Sequence, residues 1–575
     1  MLAVVIALST LWNVHLHEWY AHDEGTLMGA AIRVGAGLVP HRDFGHPYTG
    51  MDPLLHLIFM QIFGESMAGI RTGFAFIASA WLVGTVAWIA SRQGLAIASG
   101  AALVLGGWAF AVYPAAMPSW YVGMLVAASL AVLMGGTAIP SRSRLLSAGT
   151  LLGLALGFKV TASYAIAGVA LWLMLERTPS DRKCRVSVLA MVSVGTAALV
   201  VLLGHQFNAR NGVHLLLPPA LVLAAVLFSE VSAARKGVTL FGTEVGQLST
   251  LGFGVAVGGA PMAIWMIVTG AAAPFIASVT GVAGLRGEFA SIPMPPVSSI
   301  LLAGLALGAV AALSRLRDRA WISTALIMVG LFALAWVSAR WHRGVWLTVR
   351  GLVPLGVGLI LLGRSRGWRT VGSGATLVVC VLGWMVLTQF PFGAPVYFSY
   401  LVPMLVMITG SLLFTTADSR RFTTVLLFGI GLFGILQVVP GSLAAMGQSR
   451  ARGDRLAYLT STRGHLMVPE TDSASFARIV SVIDSISPAS TPIWAGPDSP
   501  EIAVLAKREE LNLAPFGFLS GQTGPDLKQL PRDVVVVIHR DPAFSPPLSD
   551  SLVAQIEAVL PSRHDFPRFI VFGRM

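Results

Sequence analysis

The sequence has very little charge for its length. Only 11% of its 575 residues are Asp, Glu, Lys or Arg, and 55% are hydrophobic. In soluble globular proteins about a quarter of the residues are charged, and a soluble chain of this composition would expose large apolar surfaces to water. The shortage of charge therefore excludes a soluble multidomain protein and favours a protein that crosses a membrane many times.

Cysteine and acidic residues are also scarce. The two cysteines, Cys184 in a basic loop and Cys380 in an apolar segment, exclude a disulfide framework and a cysteine-based zinc motif. Acidic residues number 27 against 39 basic ones, a net charge of +12. A soluble protein with this excess would be a candidate for nucleic-acid binding. Here the basic residues stand between apolar runs, where they orient membrane helices, so we expect membrane lipids and no nucleic acid as partners.

The apolar runs predict an all-α polytopic membrane protein. A helix of about 17–25 apolar residues crosses a bilayer, and because several runs are shorter or separated by one turn, we predict about 12–15 transmembrane helices. The predicted spans are residues 1–14, 71–91, 94–113, 118–139, 145–157, 161–175, 186–204, 213–231, 250–270, 298–313, 321–339, 346–363, 371–388, 398–416 and 422–438.

Basic residues mark every second connection between these spans. Arg142 and Arg144 stand in one such connection and Arg420 and Arg421 in another. The connections that alternate with the basic ones hold few basic residues. Basic loops stay in the cytoplasm. The pattern predicts a multi-pass protein of the cell (inner) membrane with a cytoplasmic N-terminus, whose loop 15–70 and whose chain after about residue 440 lie outside.

The composition changes after Pro440, where charged residues and turn formers become frequent. We predict a transmembrane domain over 1–440 and a small extracytoplasmic α/β domain over 450–575, a common domain size. Helical spacing and short apolar runs predict its elements: a helix around 476–486, a strand at 534–538, a helix at 552–560 and a strand at 569–572. Earlier in the chain, Gly149, Gly153 and Gly157 form a double GxxxG pattern, which predicts close packing between helices.

The loop 15–70 contains two adjacent carboxylates, Asp23 and Glu24, shortly after the first predicted span. A carboxylate beside hydrocarbon is costly unless it faces a cavity or a partner. In such a place desolvation raises its pKa and makes it a better proton acceptor. The alternative is a solvated loop in which the pair caps a helix that begins near Thr26. The residues alone leave both interpretations open.

The order of residues in this loop resembles the first outer loop of GT-C glycosyltransferases, in the branch of protein O-mannosyltransferases, aminoarabinose transferases and rhizobial core-sugar transferases. The matching residues are Asp23, Glu24 and Gly25, then Ala30, Ile32 and Gly35, then Pro40, Arg42, Asp43, Phe44, Tyr48 and Pro53, and finally Phe63, Gly64, Ser66 and Arg71. Residues 149–165, residues 389–407 and the C-terminal tail resemble these enzymes less specifically.

The resemblance implies a glycosyltransferase of the cell envelope, active in lipopolysaccharide or glycan biosynthesis. It would move a sugar from a polyprenyl-phosphate-linked donor to a lipid, glycan or protein acceptor on the outer face of the membrane. Asp23 would act as general base on the acceptor hydroxyl. Glu24 would position Asp23, or would help to hold a divalent metal where one is used.

A further set of residues is a candidate for substrate binding. Its cations are candidates because cations near the outer interface can stabilise a leaving phosphate, whereas Asp43 and Tyr48 belong to the first-loop residues that carry the resemblance. Each cation can equally be an interfacial anchor. Arg350 stands deeper in an apolar segment, where charge is costlier. The set is Arg42, Asp43, Tyr48, Arg71, Lys159, Arg340, Arg343 and Arg350.

The sequence assigns no metal ligands. Some members of the superfamily carry a second acidic residue in the next outer connection, but residues 113–121 contain none, which leaves Asp43 or Asp52 as substitutes. The side chains of His15, His17, His22 and Asp23 suit zinc, but their spacing matches no standard zinc motif. The aromatic residues near span ends predict an interfacial belt, namely Trp12, Trp19, Tyr20, Tyr113, Trp120, Tyr121, Trp341 and Trp346.

Two other functions are compatible with this composition. A transporter or flippase of a lipid-linked or anionic solute would also span the membrane many times, but such proteins often show paired broken helices in two repeated halves. We find no such repeat, and the acidic pair with the polar tail favours an enzyme. A non-catalytic assembly protein on the same scaffold is the second alternative.

Overall fold

The structure is a computed structural model of the chain. It describes residues 1–135, 140–176, 192–200, 208–235, 244–289, 292–314, 347–367, 372–390, 392–411, 417–436, 454–520 and 524–574, and the findings below concern these residues. Their dominant element is the α-helix, as the apolar runs predict.

The N-terminal part of the described chain folds into eight α-helices. Helix α5 continues into a π-helical segment, Leu105–Phe110. The helices are α1 (Leu2–Val14), α2 (Ala21–Gly35), α3 (Met51–Phe63), α4 (Met67–Gln93), α5 (Leu95–Val104), α6 (Pro118–Leu133), α7 (Arg142–Phe158) and α8 (Ala162–Leu175).

After a helical segment over residues 192–200, nine further helices follow before residue 437 in the described ranges. A short turn, Ala209–Asn211, and a π-helical segment, Gly212–Leu216, lead into the first of them. They are α9 (Leu217–Arg235), α10 (Glu244–Val268), α11 (Ala272–Phe289), α12 (Ser298–Ser314), α13 (Leu347–Ser365), α14 (Ser373–Met385), α15 (Pro395–Ser399), α16 (Val402–Ser411) and α17 (Ala417–Leu436).

Four helical stretches are long and apolar enough to cross a membrane: Met67–Gln93, Ala209–Val231, Gly246–Val268 and Leu347–Ser365. Other predicted spans coincide with shorter apolar helices, such as α6 and α8, and the predicted span 321–339 lies outside the described residues. The apolar helices make this chain a membrane protein. The count of about 12–15 spans and the side on which each loop lies stay predictions.

The loop 15–70 is largely helical, whereas the sequence indicated at most one helix there, the alternative that begins near Thr26. It contains α2 and α3. The 13 residues of α3 are too few to cross a bilayer, and α2 carries charged residues in both its first and its last turn, so neither has the pattern of a span. The carboxylates Asp23 and Glu24 lie inside the first turn of α2, rather than before a helix that begins near Thr26.

The GxxxG prediction is confirmed, because α7 packs closely on α10. A Cβ on Gly149 would lie 3.0 Å from the Cα of Gly254, and a Cβ on Gly258 would lie 2.9 Å from the backbone nitrogen of Leu154. Glycine on both helices therefore lets the two backbones approach each other. Gly157 instead faces the side chain of Met51.

The C-terminal part of the chain has an α/β fold, and all four elements predicted from its pattern are present. A four-stranded sheet has the order β3-β4-β6-β5, in which β3 and β4 are parallel and the other pairs antiparallel. A separate hairpin pairs β1 with β2. The elements are β1 (Leu456–Tyr458), β2 (Met467–Pro469), α18 (Glu470–Ile486), β3 (Ile493–Gly496), α19 (Glu501–Ala506), α20 (Gly517–Ser520), β4 (Val535–His539), α21 (Asp550–Val559), β5 (Ser562–Asp565) and β6 (Phe569–Gly573).

This C-terminal part is in direct contact with the first loop. The backbone nitrogen of Met467 donates to the carbonyl of Leu16 over 2.8 Å, and the nitrogen of Glu18 donates to the carbonyl of Met467 over 2.8 Å. Helix α19 packs on α2, where the backbone of Glu501 leaves no room for a side chain at Gly25. The fold thus surrounds the start of α2 with residues from distant parts of the sequence. The boundaries at 440 and 450 lie outside the described residues and stay a prediction.

Candidate active site

The acidic pair occupies the first turn of α2, where the positive end of the helix dipole favours carboxylates. The two side chains differ in their surroundings. Glu24 is buried, and its Oε2 accepts a hydrogen bond from the backbone nitrogen of Tyr20 over 3.2 Å. The side chain of Asp23 remains 21% exposed. The helix therefore leaves one carboxylate partly exposed and encloses the other.

Glu24 is held in a buried ion pair with Arg71 of α4. The Nε of Arg71 donates to Oε1 of Glu24 over 2.5 Å. The other guanidinium nitrogens donate to the backbone carbonyls of His15, His17 and Glu18, over 2.8–3.0 Å. Arg71 is only 1% exposed, so its donors face protein rather than a substrate. This pair fixes the backbone between α1 and α2, and with it the position of Asp23.

Asp23 accepts a hydrogen bond at Oδ2 from the phenol of Tyr113, a contact across 90 residues of sequence. A phenol keeps its proton at neutral pH, because its ordinary pKa is about 10, so Tyr113 is the donor and the carboxylate the acceptor. The ring of Tyr20 stacks on Tyr113 at 3.8 Å. The other carboxylate oxygen, Oδ1, lies 3.8 Å from Nε2 of His22.

Lys159 forms a second charged centre. It follows the last residue of α7, where a cation suits the negative end of the helix dipole, and it is only 6% exposed. Its ammonium donates to Oγ of Ser119 over 2.9 Å. The same group lies 5.5 Å from the ring centre of Tyr48 and 6.0 Å from that of Tyr397, within the range of cation–π attraction.

Five tyrosines link the two charged centres. Tyr397 lies edge-on to Tyr400, with ring centres 5.9 Å apart. The phenol of Tyr400 is close enough to interact electrostatically with Asp23 and with three other members of the group. We call Tyr20, Tyr48, Tyr113, Tyr397 and Tyr400 the tyrosine cluster. Asp23 and Lys159 therefore both contact one aromatic group.

Arg350 supports the segment that carries two of these tyrosines. It is buried in α13 and donates to the backbone carbonyls of Gly393 and Ala394, the latter over 2.8 Å, and to Oε1 of Gln389 over 3.3 Å. In the described part of the chain its Nε has no hydrogen-bond partner. Arg350 thus holds the turn before α15 in place.

Arg42 and Asp43 pair with each other at the surface. Two guanidinium nitrogens of Arg42 donate to the Asp43 carboxylate over 2.7 and 2.8 Å, and a third donates to the carbonyl of Thr269 over 2.8 Å. The hydrogen bonds from Arg42, and next that from the backbone of Val39, lower the pKa of Asp43. This pair joins the first loop to the end of α10, and these partners do not include Asp23.

The carboxylates considered as substitutes for a second metal ligand are already engaged. Asp52 is fully buried, and both its oxygens lie 3.1–3.2 Å from Nε2 of His46. Asp43 is held by Arg42. Across the described ranges, no group of three His, Cys, Asp or Glu side chains is placed to hold a metal ion. Arg340 and Arg343 lie outside the described residues, as do Trp341 and Trp346.

Several aromatic residues assigned to an interfacial belt lie inside the protein. Trp120 is fully buried and Tyr121 is 3% exposed, while Tyr20 and Tyr113 belong to the tyrosine cluster. The sequence analysis did not single out Ser119, Tyr397 or Tyr400. The sequence did contain an indication for Tyr397 and Tyr400. Both stand in the segment 389–407, which resembles the family, and their spacing of three residues places them on one side of a helical turn.

Comparisons with known proteins give one weak likeness. No protein-family model matches the sequence, and no curated protein matches it. A structure comparison finds the crystal structure of ArnT from Cupriavidus metallidurans bound to undecaprenyl phosphate, with 13% sequence identity and a TM-score of 0.39 over 100% of this chain and 97% of that chain. At this identity and score the likeness carries no argument about the function of this chain.

Proposed function

We propose that this protein is a glycosyltransferase that moves a sugar from a polyprenyl-phosphate carrier to an acceptor hydroxyl on the outer face of the membrane, with Asp23 as general base. The observation that carries the proposal is the placement of a partly exposed carboxylate and a buried ammonium on the same tyrosine cluster. The resemblance of the first loop to that of GT-C glycosyltransferases supports the same assignment.

The contacts of Asp23 support its proposed role as general base. Tyr113 donates to one carboxylate oxygen and so fixes the orientation of the group. The other oxygen, beside His22, remains for an acceptor hydroxyl. A positioned carboxylate of this kind removes a proton as the new bond forms. Glu24 and Arg71 contribute by holding the first turn of α2 rather than by touching the substrate.

Lys159 is the cation proposed to stabilise the leaving group. Charge this deeply buried in a membrane protein is costly and marks functional sites, and an ammonium stabilises developing phosphate charge. In the reaction the acceptor oxygen bonds to the anomeric carbon while the bond from that carbon to the phosphate oxygen breaks. The electron pair leaves with the lipid phosphate, and the acceptor proton passes to Asp23. Tyr48, Arg340 and Arg343 stay proposed contacts of the substrate.

The first test is the Asp23→Asn variant. Because general-base catalysis contributes about 10²–10⁴-fold, we expect sugar transfer in membranes supplied with a polyprenyl-phosphate sugar to fall by at least about 10²-fold. The protein level should be unchanged, since Asn keeps an oxygen that can accept from Tyr113. The matched control is Asp533→Asn, an exposed carboxylate in the C-terminal part. Full activity of Asp23→Asn would remove the general-base role.

A second arm of this experiment tests the donor and the main alternative. Transfer that needs only a nucleotide sugar, with no lipid carrier, would contradict the proposed donor. Movement of a lipid-linked sugar across vesicles without any transfer, unaffected by Asp23→Asn, would favour a transporter. Deleting the gene that encodes this protein and finding which envelope glycan changes would then identify the sugar and the acceptor.

A further inference from the structure

One aromatic residue of the C-terminal part reaches the start of α2. Phe544 lies in the connection between β4 and α21, and its ring lies edge-on to the ring of His22 with centres 4.7 Å apart. On its other sides are Phe392 and Phe516, each at 5.8 Å between ring centres. Phe544 is only partly buried, so this contact does not belong to the core of the sheet.

The backbone around Phe544 is fixed from inside the C-terminal part. Asp498, which is 2% exposed, accepts a hydrogen bond from the backbone nitrogen of Phe544 over 2.5 Å. Its other oxygen accepts from the hydroxyl of Ser545 over 2.6 Å. A buried carboxylate that accepts two hydrogen bonds holds its donors firmly. The ring of Phe544 is therefore carried on a rigid loop.

The ring of Phe544 contacts residues that border each of the two charged centres. On one side His22 lies 3.8 Å from Asp23. On the other side Phe392 stacks on Tyr397 with ring centres 5.3 Å apart, and Tyr397 contacts the ammonium of Lys159. A continuous series of ring contacts thus runs from the proposed base to the proposed phosphate-binding cation, and its central member comes from the C-terminal part.

We propose that Phe544 is a positioning residue of the transferase site, which keeps the base on α2 at its working distance from the Tyr397–Lys159 side. The inference rests on the proposed function and adds the C-terminal part to the active site. Without the ring, His22 loses its neighbour and the first turn of α2 loses a lateral contact. His22 is then left with the carboxyl groups of Asp23 and Asp498 and the imidazole of His539 around it.

The test compares Phe544→Ala with Phe544→Tyr in the full-length protein. Because a misplacement of about 1 Å costs about 10²-fold in rate, Phe544→Ala should lower kcat by about 10–10²-fold and leave KM for the polyprenyl-phosphate donor within about twofold. Phe544→Tyr keeps the ring and should retain kcat within about threefold. Asp498→Asn weakens the loop and should give an intermediate loss. The control is Tyr458→Ala, an exposed aromatic residue on β1.

The outcomes separate this inference from the proposed function. A wild-type kcat in Phe544→Ala overturns the inference. An equal fall in kcat in Phe544→Ala and Phe544→Tyr also overturns it. So does a fall in kcat that is explained by a lower unfolding temperature of Phe544→Ala. If instead Asp23→Asn is fully active, the proposed function fails, whatever the Phe544 variants show. An inactive Asp23→Asn together with a selective kcat defect in Phe544→Ala supports both.

Discussion

The three guanidinium nitrogens of Arg71 all donate hydrogen bonds, and their acceptors all belong to residues that precede α2 or lie in its first turn. Arginine suits this task because its planar fork can contact several carbonyls and a carboxylate at once, which lysine cannot do. The side chain crosses from α4 to the first loop, and it positions Glu24 beside the partly exposed Asp23. At the scale of single residues, the candidate site therefore depends on an ion pair that takes no part in the chemistry.

Replacing Arg71 tests this dependence. Arg71→Met leaves the buried carboxylate of Glu24 unpaired, and breaking a buried ion pair costs about 3–5 kcal/mol. We expect a large fall in the unfolding temperature of the purified protein. The double variant Glu24→Gln with Arg71→Met should recover part of this loss, since the unpaired charge is gone. If Arg71→Met unfolds at the wild-type temperature, the pair contributes nothing measurable to the fold.

The sequence could indicate the chemistry of this site but not its pairings. The acidic pair stood out because carboxylates are rare in this chain, and Lys159 because it interrupts an apolar stretch. That Arg71 is occupied by Glu24, or that Tyr113 reaches Asp23, depends on contacts across 47 and 90 residues. No local spacing encodes such contacts. The sequence therefore could not show whether Arg71 binds a substrate or pairs with a carboxylate inside the protein.

At the scale of helices, the GxxxG motif predicted that α7 packs closely on another helix. It did not predict that the partner is α10, because glycine spacing shows which face of a helix lacks side chains but not which helix packs on that face. Helix α3 was not predicted, and α2 only as an alternative that begins near Thr26. The length and polarity of both helices differ from those of membrane spans, so hydrophobic run length does not reveal them.

Two glycines of α10 form a matched pair for testing the contact. A Cβ on Gly258 would overlap the backbone of Thr150 in α7, whereas a Cβ on Gly252 would meet no atom within 4 Å. Gly252→Ala should therefore be neutral or stabilise the helix by up to about 1 kcal/mol. Gly258→Ala should destabilise the protein by about 1–3 kcal/mol, because the helices must separate. Thermal unfolding of the two variants in the same detergent measures the difference, and equal unfolding temperatures would contradict the packing.

At the scale of the whole molecule, the C-terminal part and the first loop share a buried interface that contains acidic groups. Glu501 is 2% exposed, lies against Gly25 of α2, and in the described structure its Oε2 has no hydrogen-bond partner. Burial raises the pKa of Glu501 from 4.5 to about 8. The folded protein therefore holds this proton over a pH range in which the unfolded chain has released it.

The sign of the pH dependence follows from this shift. A carboxyl whose pKa is raised by folding stabilises the fold fully below pH 4.5, and that contribution is lost as the pH rises through about 8. We expect the unfolding temperature to fall between these values, and Glu501→Gln to reduce the fall, because the amide does not ionise. The control is Glu509→Gln, which alters an exposed side chain nearby. An unchanged slope in Glu501→Gln would show that Glu501 does not titrate in this range.

The large-scale organisation was predictable only in part. Composition and run length identified a membrane protein, and regular spacing gave two helices and two strands of the C-terminal part, α18, β4, α21 and β6. The docking of α19 on α2 was not predictable. This interface is formed by a glycine and by a buried carboxyl group, and neither residue stands out in a sequence as an interface residue.

The contacts of Asp23 also define an order in which the site can form while the chain is being made. Once α4 has been synthesised, Arg71 can pair with Glu24 and fix the backbone around α2. The phenol that orients Asp23 arrives only with residue 113, and the ring beside His22 only with residue 544. The acidic pair of a nascent chain is therefore synthesised long before Phe544, whose ring completes the surroundings of His22 beside Asp23.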